Sequence, residues 1–292
     1  MKKAIAFAPG HISGFFQPVI DSQDSKKTGS RGAGVCISHG ATAEVNITEQ
    51  DNQLIKIRVN GKTGAFPVTL HAITTLVKNK KLHVDVDISL DLPISQGFGM
   101  SAASALSASL ATASLLHKPR LTAIQAAHHA EVKNHTGLGD VFPSAIGGFE
   151  IRKKPGVPPF GQIHQIKEQH SLLLGLFPGG MSTESILTNK EKVKHITKLG
   201  KYCTDQVLQS ASVESIMNYS YYFTQKSGLA PKKISDALKK INEKNLGSMC
   251  MLGHSLFIIQ KNDTLKKLLA TQVKIIKTTV DLNGARLIHT SV

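Results

Sequence analysis

The sequence predicts an α+β protein of two sandwiched halves, and three observations carry that expectation. Strand patterns crowd the N-terminal third, most clearly at Leu82 to Leu90, where Leu82, Val84, Val86 and Ile88 alternate with His83, Asp85, Asp87 and Ser89 at period two. Two helical stretches follow, Ser101 to Leu116 and Thr122 to His135, split by Lys118-Pro119. A linker is expected from Lys153 to Gln162, which holds Pro155, Pro158 and Pro159, so the 292 residues divide into 1–152 and 163–292. Each half is long enough to bury a core of its own.

The elements read in order as follows. Ala4 to Ala8 is a first strand; after Met1-Lys2-Lys3 it imitates a secretion signal, but the apolar stretch is too short before Pro9-Gly10. Gly34 to His39, Thr42 to Thr48 and Leu54 to Val59 are the next strands, followed by Leu82 to Leu90 and the two helices. Ala145 to Arg152 reads as a strand closing the first half. Beyond the linker come an apolar strand at Ser171 to Phe177, helical stretches across Lys190 to Lys226 and Lys232 to Lys244, and strands at Lys274 to Val280 and Ala285 to Thr290. No internal repeat is visible, and no run approaches the ~18 apolar residues of a membrane span.

Lys and Arg number 35 against 20 Asp and Glu, a net charge of +15 that raises nucleic acid, a membrane surface or a polyanionic small ligand as partners. The lysines recur as scattered pairs, such as Lys26/Lys27, Lys80/Lys81 and Lys239/Lys240, without a long tract. Trp is absent and aromatics make up 5%, so base stacking is poorly served. A solvated basic surface is expected, with no nucleic-acid or membrane partner. Cys36, Cys203 and Cys250 are far apart and in no C-x-x-C pair, which excludes a disulfide framework or structural zinc and points to a reducing cytoplasm.

The segment richest in chemistry is Pro93 to Ala103, reading Pro-Ile-Ser-Gln-Gly-Phe-Gly-Met-Ser-Ala-Ala. It joins the clearest strand to a helix of small residues, so a glycine turn feeds a helix N-terminus. Free N–H groups and the positive end of the helix dipole then face an anion at Gly97, Phe98, Gly99, Met100, Ser101, Ala102 and Ala103. A Walker loop would need Lys where Met100 stands. Gly97 to Ala102 fits G-x-G-x-x-A, yet a dinucleotide fold wants an acidic residue about twenty positions on, and residues 116–127 hold none.

This segment resembles the second motif of the GHMP kinase superfamily, Pro-x-x-x-Gly-Leu-Gly-Ser-Ser-Ala-Ala, with Phe98 in place of Leu. Ala8-Pro9-Gly10-His11 resembles its first motif. Ala8 to Phe16, Thr28 to Gly34 and Thr136-Gly137-Leu138-Gly139-Asp140 together resemble the archaeal pantoate kinase branch. The resemblance spans residues 4–150 well and the second half weakly. It implies a two-domain GHMP kinase fold, with an ATP- and substrate-binding N-terminal domain resembling ribosomal protein S5 domain 2 and a ferredoxin-like C-terminal domain. It also implies a cytoplasmic kinase that uses ATP and Mg²⁺ on pantoate, a small-molecule substrate of coenzyme A biosynthesis.

Phosphoryl transfer needs a phosphate cradle, a cation and a group to receive the acceptor's proton. Gly97 to Ala103 is the cradle. Ser101 matches the superfamily's metal-binding serine and Glu131 its acidic partner, both offering the hard oxygens that Mg²⁺ prefers. The resemblance implies a catalytic aspartate at Asp140, which at an ordinary pKa near 4 is a weak base toward an alcohol and works mainly by orientation. His11 stands where the superfamily has Lys or Arg, so a positive charge beside Asp140 would depend on histidine protonation. His11 is expected to share the catalytic role with Asp140, and both are expected to touch substrate together with Ser30 and Arg31, whose guanidinium can grip a carboxylate with two parallel hydrogen bonds.

Three further readings stay open. His128, Glu131 and His135 share a helix face and could mimic a transition-metal site. The third motif is at best Gly247 to Gly253, a glycine-poor loop that is either buried apolar chain or phosphate-facing. The acceptor could be another small alcohol such as homoserine or mevalonate, or the chain could bind nucleotide without catalysis. Oligomeric state is left open, a homodimer included.

Overall fold

The computed structural model describes residues 2–21, 23–179, 190–241, 247–260 and 273–291. Its first half is organised by two long antiparallel strands, β1 (Lys2–Val19) and β2 (Gly29–Glu49), paired along their whole length with irregularities at Pro9/Gly10 and Ser13/Phe15. The strands expected at Gly34 to His39 and Thr42 to Thr48 are one strand, because β1 continues to pair across His39-Gly40. Past its midpoint β2 pairs with β5 (Leu82–Leu90), which takes β3 (Leu54–Val59) in parallel, with β4 (Lys62–Thr63) outermost.

On this sheet lie α1 (Pro67–Leu76), α2 (Met100–Leu115) and α3 (Arg120–Lys133). In α2 every residue except Ser101 and Ser114 is buried, packed against β1, β2, α1 and α3. Its Ala and Ser content explains this placement: small side chains let a helix run between a sheet and two other helices. α1 was not evident in the sequence, where Val68, Thr69, Ile73 and two further threonines are residues of low helix propensity. Pro67 at its first turn and the buried Val68, Ala72, Ile73 and Leu76 make it a helix in this setting.

The strand expected at Ala145 to Arg152 begins instead as α4 (Val141–Ile146), and only after the Gly147-Gly148 turn does β6 (Phe149–Lys154) start. The expected linker is the connection of a hairpin from β6 to β7 (Gln162–Ile166), and β6 pairs with β2. A second, antiparallel sheet has the order β11 (Lys274–Thr279), β8 (Ser171–Leu176), β10 (Ser255–Ile259), β9 (Gly247–Met249). Beside it lie α5 (Lys190–Val207), α6 (Val213–Lys226) and α7 (Lys232–Ile241), with α5 and α6 packed on β1. Residues 242–244, expected in the last helix, lie outside the described residues. The last strand, β12 (Arg286–Ser291), returns to the edge of the first sheet beside β1. Thus β7 and β12, both beyond residue 160, complete the N-terminal sheet, and the layers do not divide at the linker. No helix among the described residues is long and apolar enough to cross a membrane.

Candidate active site

The loop between β5 and α2 forms because two glycines adopt left-handed backbone, Gly97 at φ +81° and Gly99 at φ +64°. Gly99 caps α2 without a side-chain hydrogen bond, leaving first-turn N–H groups for a ligand. Both glycines also lie in close contact. A Cβ on Gly97 would sit 2.9 Å from Cys250, and one on Gly99 would sit 3.0 Å from the His11 carbonyl. The His11 N–H donates to the Phe98 carbonyl at 3.0 Å, tying the loop to the first motif.

At the start of α2, the Ser101 hydroxyl donates to Glu131 Oε1 at 2.6 Å, from α3. Glu131 is buried, and that burial pushes its carboxyl up to about 7 despite the Ser101 hydrogen bond, with the Asp140 charge adding to the rise. A Cβ on Gly137 would come within 2.2 Å of Glu131 Oε2 and 3.3 Å of Asp140 Oδ2, so this glycine admits both carboxylates to one corner. Asp140 precedes α4, and its Oδ1 lies 2.7 Å from His11 Nδ1.

Behind Asp140 lies a buried polar network. The second His11 ring nitrogen, Nε2, is 3.0 Å from Glu150 Oε1, and Glu150 also accepts from Arg152 Nη1. Arg152 Nη2 donates to the Ser13 hydroxyl at 3.2 Å and the Phe15 carbonyl at 3.3 Å. Arg152 Nε is buried with no hydrogen-bond partner among the described residues, near Ser30 and Gly139. Glycines of β2 make the room: Gly34 opposes Glu150 and Gly32 opposes Arg152 in the ladder. A Cβ on Gly34 would lie 2.7 Å from His11 Nε2, and one on Gly32 would lie 2.8 Å from Arg152 Nη2.

Burial by itself lowers the His11 pKa, but hydrogen bonds and charges from Asp140 and Glu150 outweigh it and hold the ring above 6.5. Carboxylate oxygens thus stand at both ring nitrogens and favour the protonated form, although Arg152 Nη1 also lies 3.3 Å from Nε2. The linkage has a definite sign. A raised folded pKa contributes stability that is complete below the unfolded value near 6.5 and is lost as pH climbs through the folded pKa. Thermal melts of the parent chain should therefore fall from neutral toward alkaline pH more steeply than those of His11→Asn, and equal slopes would remove His11 from this role.

The sequence-predicted residues come together with two exceptions. A cavity of about 930 Å³ is lined by Ser30, Gly97, Phe98, Gly99, Met100, Ser101, Ala102, Glu131 and Asp140. Ala103 lies within α2, bonded back to the Gly99 carbonyl at 2.9 Å, and His11, expected to touch substrate, is buried one layer behind Asp140 and does not line the cavity. The first exception is Arg31, expected to clamp substrate. It does not line the cavity: its Nε donates to the Lys153 carbonyl, Nη1 to Gln17 and Nη2 to Asp205, at 2.8 to 3.0 Å. The fork is occupied by the chain itself, so Arg31→Ala should cost about 1 kcal/mol of stability at most and move the acceptor KM little. A large rise in KM would restore Arg31 to the site.

The second exception is the helix-face histidines. His128 Nε2 lies between the Ser25 and Thr28 carbonyls at 3.0 and 2.9 Å, while His135 sits at the cavity rim, so the two do not converge with Glu131. Among the described residues no three His, Cys, Asp or Glu gather as a metal cluster. Glu150 and Arg152 were missed, although two charges spaced two apart in the otherwise apolar Phe149-Glu150-Ile151-Arg152 were a legible sign of a shared strand face.

A model of the GHMP kinases N-terminal domain matches residues 68–148, the stretch from α1 through the glycine loop before α2 to Gly148. The pantoate kinase of Methanocaldococcus jannaschii is 33% identical over 269 residues, 90% of this chain and 95% of that protein. The chain belongs to the pantoate kinase family of the GHMP kinases. The family's Thermococcus kodakarensis member is 34% identical over 90% of this chain and 89% of its own length. A solved structure described as a phosphotransferase related to the coenzyme A biosynthesis pathway superposes with a TM-score of 0.88 at 30% identity, covering 98% of each chain. A homoserine kinase from Cytophaga hutchinsonii shares the fold, with a TM-score of 0.69 at 13% identity over 98% of this chain and 97% of that one.

Proposed function

We propose that the protein is a pantoate kinase, moving the γ-phosphoryl group of ATP onto the primary hydroxyl of (R)-pantoate to form 4-phosphopantoate in coenzyme A biosynthesis. The observation that carries this reading is identity near one third, over about nine tenths of the chain, to three pantoate kinases. Homoserine or mevalonate as acceptor has no comparable support, since the homoserine and mevalonate kinases named among the structures are 13% and 16% identical.

The residues present fit MgATP. Ser101 Oγ and Glu131 offer hard oxygens to the cavity, and Glu131 is a buried carboxyl, raised to about 7 by burial, that a bound cation would hold in its charged form. These two would hold Mg²⁺, which when bound neutralises phosphate charge. The backbone of Gly97 to Ser101 and the N-terminus of α2 receive the phosphates. Asp140, half-exposed to the cavity, orients the acceptor hydroxyl and takes its proton, while His11 holds the carboxylate in place. Ser30, with the unpartnered Arg152 Nε–H behind it, supplies the acceptor carboxylate with a hydroxyl and a positive field in place of Arg31. The three cysteines are buried free thiols, in keeping with a reducing cytoplasm.

Incubation with MgATP and a panel of hydroxy acids tests the reading by product mass. 4-Phosphopantoate is expected; turnover of homoserine or mevalonate alone would reassign the acceptor, and nucleotide-dependent thermal stabilisation without any turnover would make the chain a binding module. In the same assay Glu131→Gln should raise the Mg²⁺ concentration for half-maximal rate by about tenfold, since a ligand oxygen loses its charge. An unchanged Mg²⁺ titration would leave Glu131 a structural carboxylate.

A further inference from the structure

The glycine-poor turn after β9 offers the cavity no hydroxyl from Ser248, because that side chain is buried and paired with Thr224 at 2.9 Å. The turn is nevertheless held tightly. The Met251 N–H donates to the Ser13 carbonyl at 3.1 Å, and a Cβ on Gly253 would lie 2.1 Å from Gln96 and 2.3 Å from the Gly97 nitrogen. What it presents to the cavity is Met251 and Leu252, and Leu252 is a non-glycine residue held at φ +62°. Phe16 lines the same cavity, in ladder register with Gly32 and two positions from the Ser30 pairing. Ser13, to which Met251 is tied, also receives Arg152 Nη2. The apolar group therefore lines the same cavity as Ser30 and Asp140 and is tied through Ser13 to the Arg152 beside Ser30.

We infer that Met251, with Leu252 and Phe16, forms a wall that selects an acceptor whose carbon next to the reacting CH₂OH is fully substituted with methyl groups. The inference rests on the pantoate reading. In pantoate that carbon carries two methyls and lies between the hydroxyl that Asp140 orients and the carboxylate end near Ser30. An acceptor held at both ends must press its middle against one side of the cavity. Only an apolar side rewards the methyls, by taking them out of water, and two methyls are worth on the order of a tenfold preference. The third motif of this chain thus contributes acceptor selectivity through its side chains.

The test compares kcat/KM for (R)-pantoate with kcat/KM for 2,4-dihydroxybutanoate, which keeps the chain, both hydroxyls and the carboxylate but lacks the two methyls. The parent chain should prefer pantoate by about tenfold or more. Met251→Ala should reduce that ratio several-fold, and Met251→Leu should restore most of it. Leu252→Asn, which tolerates the left-handed backbone while removing the apolar tip, should also lower the ratio and keeps the test alive if Met251→Ala does not fold. A loss of packing alone would depress both substrates together and leave the ratio fixed. If the parent turns over both acceptors and every variant keeps its preference, the wall is overturned while the pantoate reading stands. If the parent phosphorylates neither, the pantoate reading falls and takes this inference with it.

Discussion

Asp140→Asn is expected to lower kcat by about a hundredfold or more while nucleotide affinity changes little. The substitution keeps size and leaves an amide oxygen facing His11 Nδ1, now 2.7 Å from the carboxylate, so the network behind the site has no reason to collapse. On the proposed function, what disappears is the negative charge that orients the acceptor hydroxyl and the atom that can take its proton. Both are needed only along the reaction, so ground-state binding of ATP at the loop from Gly97 to Ser101 is untouched. Single-turnover rates and nucleotide titrations of the variant check this. A near-normal kcat would move proton acceptance to another group, and a large loss of ATP affinity would show that Asp140 supports the phosphate loop.

Arg152→Ala should destabilise the protein by about 3–5 kcal/mol, the cost of breaking a buried pair from one side. Arg152 and Glu150 are almost wholly buried, and without the guanidinium only His11 stands against the Glu150 charge. At roughly 2–4 °C per kcal/mol for a chain of this size, the melting temperature should drop by about 10 °C. Arg152→Lys should recover part of it, because an ammonium supplies charge but cannot reach Glu150, Ser13 and the Phe15 carbonyl at once. The pair Glu150→Leu with Arg152→Met should recover more, since it removes both charges. Melts of the four chains decide the matter. A drop under about 1 kcal/mol for Arg152→Ala would mean that water or a rearranged side chain takes its place.

Much of the candidate site was legible in the sequence because phosphate recognition is a local device. A strand with clean alternation, a turn with two glycines and a helix of small residues are contiguous, and each dictates its own backbone within a few residues. Ser101 and Glu131 are thirty residues apart on consecutive helices, close enough in sequence for the motif to imply their contact. The long strands were legible only in part, β1 as Ala4 to Ala8 and β2 as two pieces from Gly34 on, since the bulges at Pro9/Gly10 and Ser13/Phe15 let β1 follow β2 past interruptions that read as breaks.

Arg31 and Arg152 mark where the sequence stops. Both are arginines near glycines, and the guanidinium together with the resemblance around Gly29 to Gly32 favoured Arg31 for the substrate. Its guanidinium is instead held by Asp205, 174 residues away on α5, a pairing that depends on how α5 docks against β1 and β2. Arg152 reaches the site only because β6 pairs with the glycine-bearing start of β2, so that Gly32 and Gly34 leave space for Arg152, Glu150 and His11. The glycine loop, the Ser101–Glu131 pair and Asp140 are thus written in short-range pattern, where propensity and helix polarity act over a few residues. Which arginine stands beside Ser30, and that His11 lies between two carboxylates, were decided by sheet register and burial, because the energy of a buried charge depends on partners that only the folded chain brings within 3 Å.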